Sequence, residues 1–133
     1  MQDKAILLYE WRQLRLKLQN EFTKSTLQEI VNWWKSFPYH SNGLNYDDVT
    51  TWPDVWEYIN EEFYTNSGNG LGCFYTLYHA FPNNNPEIWL ILDFSDGGEI
   101  YLVAYMDGYV LNRSNGKVDK YEDIKNDIDI MER

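Results

Sequence analysis

A single cysteine in 133 residues forbids an internal disulfide, which suits a reducing compartment or a particle assembled in one. Two histidines, His40 and His79, are all the chain offers as an imidazole base. Basic residues are scarce: 11 Lys and Arg stand against 21 Asp and Glu, for a net charge of −10. No basic stripe follows a phosphate backbone, which argues against nucleic-acid binding and leaves acid mimicry or a basic protein partner. Long apolar runs are missing too. The opening MQDKAILLYEWRQLRL reaches charge after about four apolar residues, so it reads neither as a secretory signal nor as a membrane span. There is no phosphate loop, zinc-ligand spacing or serine-nucleophile motif. No internal repeat or linker divides the chain, so residues 1–133 are expected to form a single domain.

Large rings are abundant. Aromatics make up 17% of the chain, with six Trp and eleven Tyr. A core absorbs many of these, and the surplus points to a face for a protein partner.

The order of periodicities predicts an α+β fold. Leu7, Trp11, Leu14, Leu18 and Phe22 recur at helical spacing, so residues 4–22 read as a helix, with Ile6, Leu8 and Leu16 broadening its apolar surface. Ser25 with Gln28 has the form of a capping box, and Leu27, Ile30, Val31 and Trp34 fall on one face of the helix that follows. Pro38 is expected to stop it. Tyr39 to Thr51 reads as a loop. Thr51 with Asp54 and Pro53 starts another helix, with Val55, Trp56, Ile59 and Phe63 inward. Asn66 to Gly72, with three glycines, reads as a flexible break before a short helix over 71–81.

After Pro86 the period falls to two. Glu87–Phe94, Glu99–Met106 and Tyr109–Arg113 read as strands, and Lys117-Val118 as a short edge. Asp107-Gly108 is a two-residue hairpin signal. Glu99–Met106 is apolar on both faces, which places it in the middle of a sheet. Asp119 with Glu122 is expected to start a last helix bearing Ile124, Ile128 and Met131. N-terminal helices packed on a three- to four-stranded antiparallel meander, closed by a C-terminal helix, is the resulting plan.

Cys73 follows Gly70 and Gly72 where the short helix is expected to begin. Unpaired amides and the helix dipole favour a thiolate there. A nucleophilic cysteine also needs a base. His79 is six residues on, roughly 120° around the helix from Cys73, so His40 is the base that tertiary folding would have to supply. Asp47-Asp48 and the Asp93, Asp96, Glu99 group have ligands for a hard cation such as Ca²⁺. Both lie at turns, where Asp is common for backbone reasons, and no metal or cofactor is assigned. Glu57, Glu61 and Glu62 read as a solvated helix face.

The order of a Trp-Pro helix start, a glycine-rich loop, Gly72-Cys73 and the hairpin EIYLVAYMDGYVLN (Glu99 to Asn112) resembles the transglutaminase-like branch of the papain-like fold. That resemblance implies a nucleophilic cysteine on a helix, a histidine opening the next strand and an aspartate after the hairpin. Here the acid before the cysteine is absent, Glu99-Ile100 stands where the histidine is expected, and Asn112 replaces the aspartate. Residues 27–81 are also similar to small proteins of tailed phages, on Trp33-Trp34, Asp47-Asp48, Trp52-Pro53 and Trp56-Glu57. This implies a phage source, with the protein in the host cytoplasm or associated with the virion.

Three readings follow. In the first, the chain is a non-catalytic interaction domain on a degenerate scaffold of this kind. It binds a protein partner, a virion component or a host factor, through Trp33, Trp52 and Tyr109, with self-association open. In the second, it is a cysteine-dependent acyl transferase or peptidase using Cys73, His40 and amides near Gly72. In the third, it is an acidic inhibitor or mimic that binds a basic host protein.

Overall fold

The computed structural model describes residues 4–36, 66–114 and 116–132. The expected stop at Pro38, the loop 39–51, the helix start at Thr51, and His40, Asp47, Asp48 and Trp52 lie outside the described residues.

Among the described residues three helices come first: α1 (Lys4–Asn20), α2 (Lys24–Lys35) and α3 (Asn66–Ala80). Leu7, Trp11 and Leu18 of α1 are buried, as are Leu27, Ile30, Val31 and Trp34 of α2, so the stripes read from helical spacing are the packed ones. The cap of α2 differs from expectation. Thr23, in extended backbone, accepts from Thr26 N at 3.1 Å, and Thr26 Oγ1 takes Thr23 N at 3.0 Å. Ser25 is already in the first turn. Gln28 reaches the sheet instead: Nε2 donates to Gly116 O at 2.7 Å, and Oε1 accepts from Val118 N at 3.2 Å. One side-chain amide thus satisfies two backbone groups beside an edge strand.

The expected break at 66–72 is helix. α3 runs through Gly68, Gly70 and Gly72 because two of these glycines are contact points. A Cβ on Gly70 would strike the carbonyl oxygen of Leu102, and one on Gly72 would lie 2.5 Å from the Trp34 ring. Each glycine costs a helix about 1 kcal/mol relative to alanine. Close approach of α3 to the sheet and to α2 offsets that cost.

The sheet has five antiparallel strands in the order β4-β3-β2-β1-β5. They are β1 (Glu87–Asp93), β2 (Glu99–Met106), β3 (Tyr109–Arg113), β4 (Lys117–Lys120) and β5 (Ile128–Glu132). The class is α+β, with one strand more than the upper expectation. β2 is central, and both its faces are buried from Tyr101 to Ala104. Asp107 and Gly108 turn β2 into β3 with φ of 49° and 88°, the positive pair that matches strand twist.

The extra strand comes from residues expected to be helical. Helix α4 is a single turn, Tyr121–Ile124, and Asp119 belongs to β4. Ile128, Asp129 and Ile130 then pair with Asp93, Leu92 and Ile91. Ile124, Ile128 and Met131 have helical spacing, but Ile128 and Ile130 also alternate with Asp129. Pairing with β1 decides between the two periods.

Each sheet face carries its own apolar cluster. Ala104, Met106, Leu111 and Val118 pack with the buried stripes of α1, α2 and α3. Trp89, Ile91, Tyr101, Val103, Val110, Ile124 and Ile128 form the other cluster, edged by Tyr105, Tyr121 and Ile130. Burying a side chain of this size stabilises the fold by about 1.5–3 kcal/mol.

Candidate functional site

Cys73 is not at a helix start. It is the central residue of the 15-residue α3 and is fully buried among the apolar side chains of the helix-side cluster. No terminal amides are available to it there, and burial pushes its thiol well above the ordinary range. His79 is exposed on the same helix, edge-on to the Trp11 ring at 5.4 Å. Partial desolvation against its neighbours, and then the charge of Arg15, lower its pKa. The structure does not bring His79 to the thiol, and His40 is outside the described residues. Of the other positions aligned by resemblance, Glu99 is exposed at the start of β2, in register with Asp93. Asn112 is the residue at the register shift between β3 and β4, with φ 76°. Asn tolerates that left-handed conformation better than most residues, which gives the position a backbone role.

Inside α3 the polar focus is Thr76. Its Oγ1 accepts from Trp11 Nε1 at 2.7 Å and Trp34 Nε1 at 3.1 Å, and donates to Gly72 O at 2.9 Å. All three side chains are buried. One hydroxyl therefore fixes two tryptophans from two other helices, whose rings meet edge to face at 6.4 Å.

The second polar cluster sits at the end of the sheet where β1 gives way to its 3-10 turn. Asp93 shares the face of Trp89 and Ile91 and is fully buried. Its carboxylate accepts from Ser95 N at 3.0 Å, Ser95 Oγ at 2.6 Å and Tyr101 Oη at 2.6 Å. Arg113 Nε stands 3.7 Å away. Arg113 also donates to Ser95 Oγ at 2.8 Å and Asp119 Oδ2 at 3.4 Å, and Ser114 N donates to Tyr101 Oη at 2.8 Å. Burial by itself raises the Asp93 carboxyl. The hydrogen bonds from Ser95 and Tyr101, with Arg113, outweigh it and hold the pKa below the ordinary carboxylate range. Burial, and then the bond to Asp93, push the Tyr101 phenol above its usual range, so it remains a donor. A buried carboxylate bonded in this way clasps β1, β2 and β3 together. Among the described residues, no three His, Cys, Asp or Glu side chains are grouped to hold a metal ion.

The expected aromatic face is largely engaged in packing. Trp33 is half-buried, edge-on to Trp34 at 4.9 Å, and its Nε1 donates to Glu10 at 3.2 Å. Tyr109 is half-buried against Phe22 at 5.8 Å. Trp52 is outside the described residues. The large apolar side chains open to solvent include Tyr9, Tyr78 and Phe94.

The most coherent open surface is the outer side of α1. Ile6, Tyr9 and Leu16 are 53%, 64% and 41% exposed, on a side roughly opposite Leu7, Trp11 and Leu18. In the sequence Ile6 and Leu16, with Leu8, broaden the apolar surface of α1 toward neighbours on two sides, an intrachain core or a partner helix. The signal for a second stripe was available: Ile6, Tyr9, Gln13, Leu16 and Asn20 recur at spacings of 3, 4, 3 and 4. Among the described residues no helix is long and apolar enough to cross a membrane.

Comparison with known proteins gave no match to a family model, a curated protein or a solved structure.

Proposed function

We propose that this chain is a non-catalytic interaction domain that binds a protein partner through the outer face of α1. One observation carries the reading: among the described residues, Ile6, Tyr9 and Leu16 form a solvent-open apolar stripe on a helix whose opposite side, Leu7, Trp11 and Leu18, is packed. An apolar stripe left about half open to solvent has a purpose when a partner covers it. Against an enzyme, Cys73 and Asp93 are both fully buried, and Tyr101 is held in the clasp. On this reading the likeness to transglutaminase-like proteins concerns the frame and not the chemistry. A phage source, suggested by the Trp33-Trp34 region, would put the partner among virion components or host factors.

A photoreactive phenylalanine analogue at Tyr9, set beside one at the exposed Glu122, tests the proposal in producing cells. A discrete adduct from position 9 and none from position 122 is expected. Equal labelling from both sites, or none from position 9, contradicts it.

A further inference from the structure

The outer stripe of α1 has the repeat of a coiled-coil seam, and its flanks carry charge opposite to that of the chain. We infer that the occupant of this face is an amphipathic helix of a partner protein, with apolar residues at heptad spacing and acidic residues beside them. The inference rests on the interaction-domain reading and names the chemistry of the partner.

Three observations lead there. The first is spacing. Ile6, Tyr9, Gln13, Leu16 and Asn20 alternate by 3 and 4, the period that keeps one helix side facing another. The stripe spans about 21 Å, so a partner helix of about four turns covers it. Gln13 sits mid-seam, where a polar residue sets register at a cost in affinity.

The second is charge. α1 carries Lys4, Arg12, Arg15 and Lys17 against the single acid Glu10, a net of +3 within a chain of −10. The acid is engaged, since Glu10 accepts from Trp33. Arg15 lies over the Trp11 ring at 4.1 Å, on the core side. Lys17 flanks the seam on one side, sharing its charge with Glu29 at 3.0 Å, while Arg12 is exposed on the other flank. A helix with acidic residues at its own flanking positions meets Arg12 directly, while on the other flank Lys17 is already held by Glu29.

The third is what the same charges disfavour. Parallel self-pairing sets Arg12 across from Lys17 of the copy, and the antiparallel register that pairs Ile6 with Leu16 sets Arg12 against its own copy. An anionic membrane attracts α1 but repels the strongly acidic remainder of the chain. A separate acidic helix has neither conflict.

The probe is a synthetic peptide of about three heptads with Leu at the seam and Glu at the flanks, with a Lys-flanked sibling. Each is titrated into the full chain by fluorescence anisotropy. The acidic body attracts the Lys peptide anywhere, so only affinity lost in Leu16→Ser counts for either. Ile6 and Leu16 are exposed, so Leu16→Ser is expected to keep its circular dichroism and melting temperature. The Glu peptide should bind about tenfold tighter than the Lys peptide by this measure, with the order reversed in Arg12→Glu. The inference is overturned if the stripe-dependent affinities are equal, if the Lys peptide wins on the parent chain, or if neither binds. It is overturned equally if Leu16→Ser abolishes a dimer in sedimentation velocity or abolishes pelleting with phosphatidylserine vesicles. An adduct from position 9 with no peptide binding sinks the acidic helix but keeps the interaction domain. Absence of both sinks both.

Discussion

Replacing Thr76 with valine removes one hydroxyl and keeps the shape, which isolates what that hydroxyl does. Trp11 Nε1 and Trp34 Nε1 both lose an acceptor in a site with no exposure to water. A buried donor that loses its partner costs about 1–3 kcal/mol, so two cost about 2–6 kcal/mol. The added methyl recovers part of this, about 0.8 kcal/mol for one buried carbon. The net expectation is a loss of about 1–5 kcal/mol. Thr76→Ser is the control. It keeps the acceptor and loses a methyl, at a cost of about 0.5–1.5 kcal/mol. Urea unfolding followed by tryptophan fluorescence reads both. With a slope of about 2 kcal/mol/M, Thr76→Val should move the midpoint down by about 0.5–2.5 M, beyond Thr76→Ser. Equal midpoints for the two variants would refute the hydroxyl's role as the shared acceptor.

Three further outcomes are expected. Gly70→Ala should lower stability by about 1–3 kcal/mol in the same assay, although alanine is the better helix former, because its Cβ meets the Leu102 carbonyl; a stabilised variant would mean that α3 does not lie against β2 there. Asp93 has a lowered pKa in the fold, so its contribution is fully present above the unfolded value of about 3.9 and is lost as pH falls through the folded one. Asp93→Asn should therefore cost about 2–4 kcal/mol at neutral pH and flatten the stability slope below about pH 4, and an unchanged acid slope would contradict the clasp. Cys73 in the native chain should resist Ellman's reagent at pH 8 and react once unfolded; stoichiometric labelling of the folded protein within the mixing time would reinstate a reactive thiol.

The features legible in the sequence were local ones. β2 and β3 have the bounds that alternation and the Asp107-Gly108 turn specify. The buried faces of α1 and α2 follow from helical spacing. What escaped was decided by distant contacts. Glycines usually mark a break, and α3 is continuous because Leu102 and Trp34 press on it from other elements. Ile124, Ile128 and Met131 fit a helix until β1 is there to pair with. The clasp joins Asp93, Tyr101 and Arg113 from three strands, so no short motif contains it. One clue was present: Asp93 falls on the same strand face as Trp89 and Ile91, and a carboxylate on an apolar face needs donors. The supposed nucleophile failed on the same point as the supposed break, since Cys73 begins a helix only if residues 66–72 are not already in one.

On the proposed reading α1 has two working faces, one that builds the core and one that receives a partner. The most direct test is the adduct yield from a photoreactive residue at Tyr9 in a Leu16→Ser chain, compared with the same probe in the parent sequence. The adduct is expected to disappear while the folded protein is recovered with its melting temperature nearly unchanged. An undiminished adduct, or a Leu16→Ser chain that unfolds with the loss expected of a core position, would contradict it.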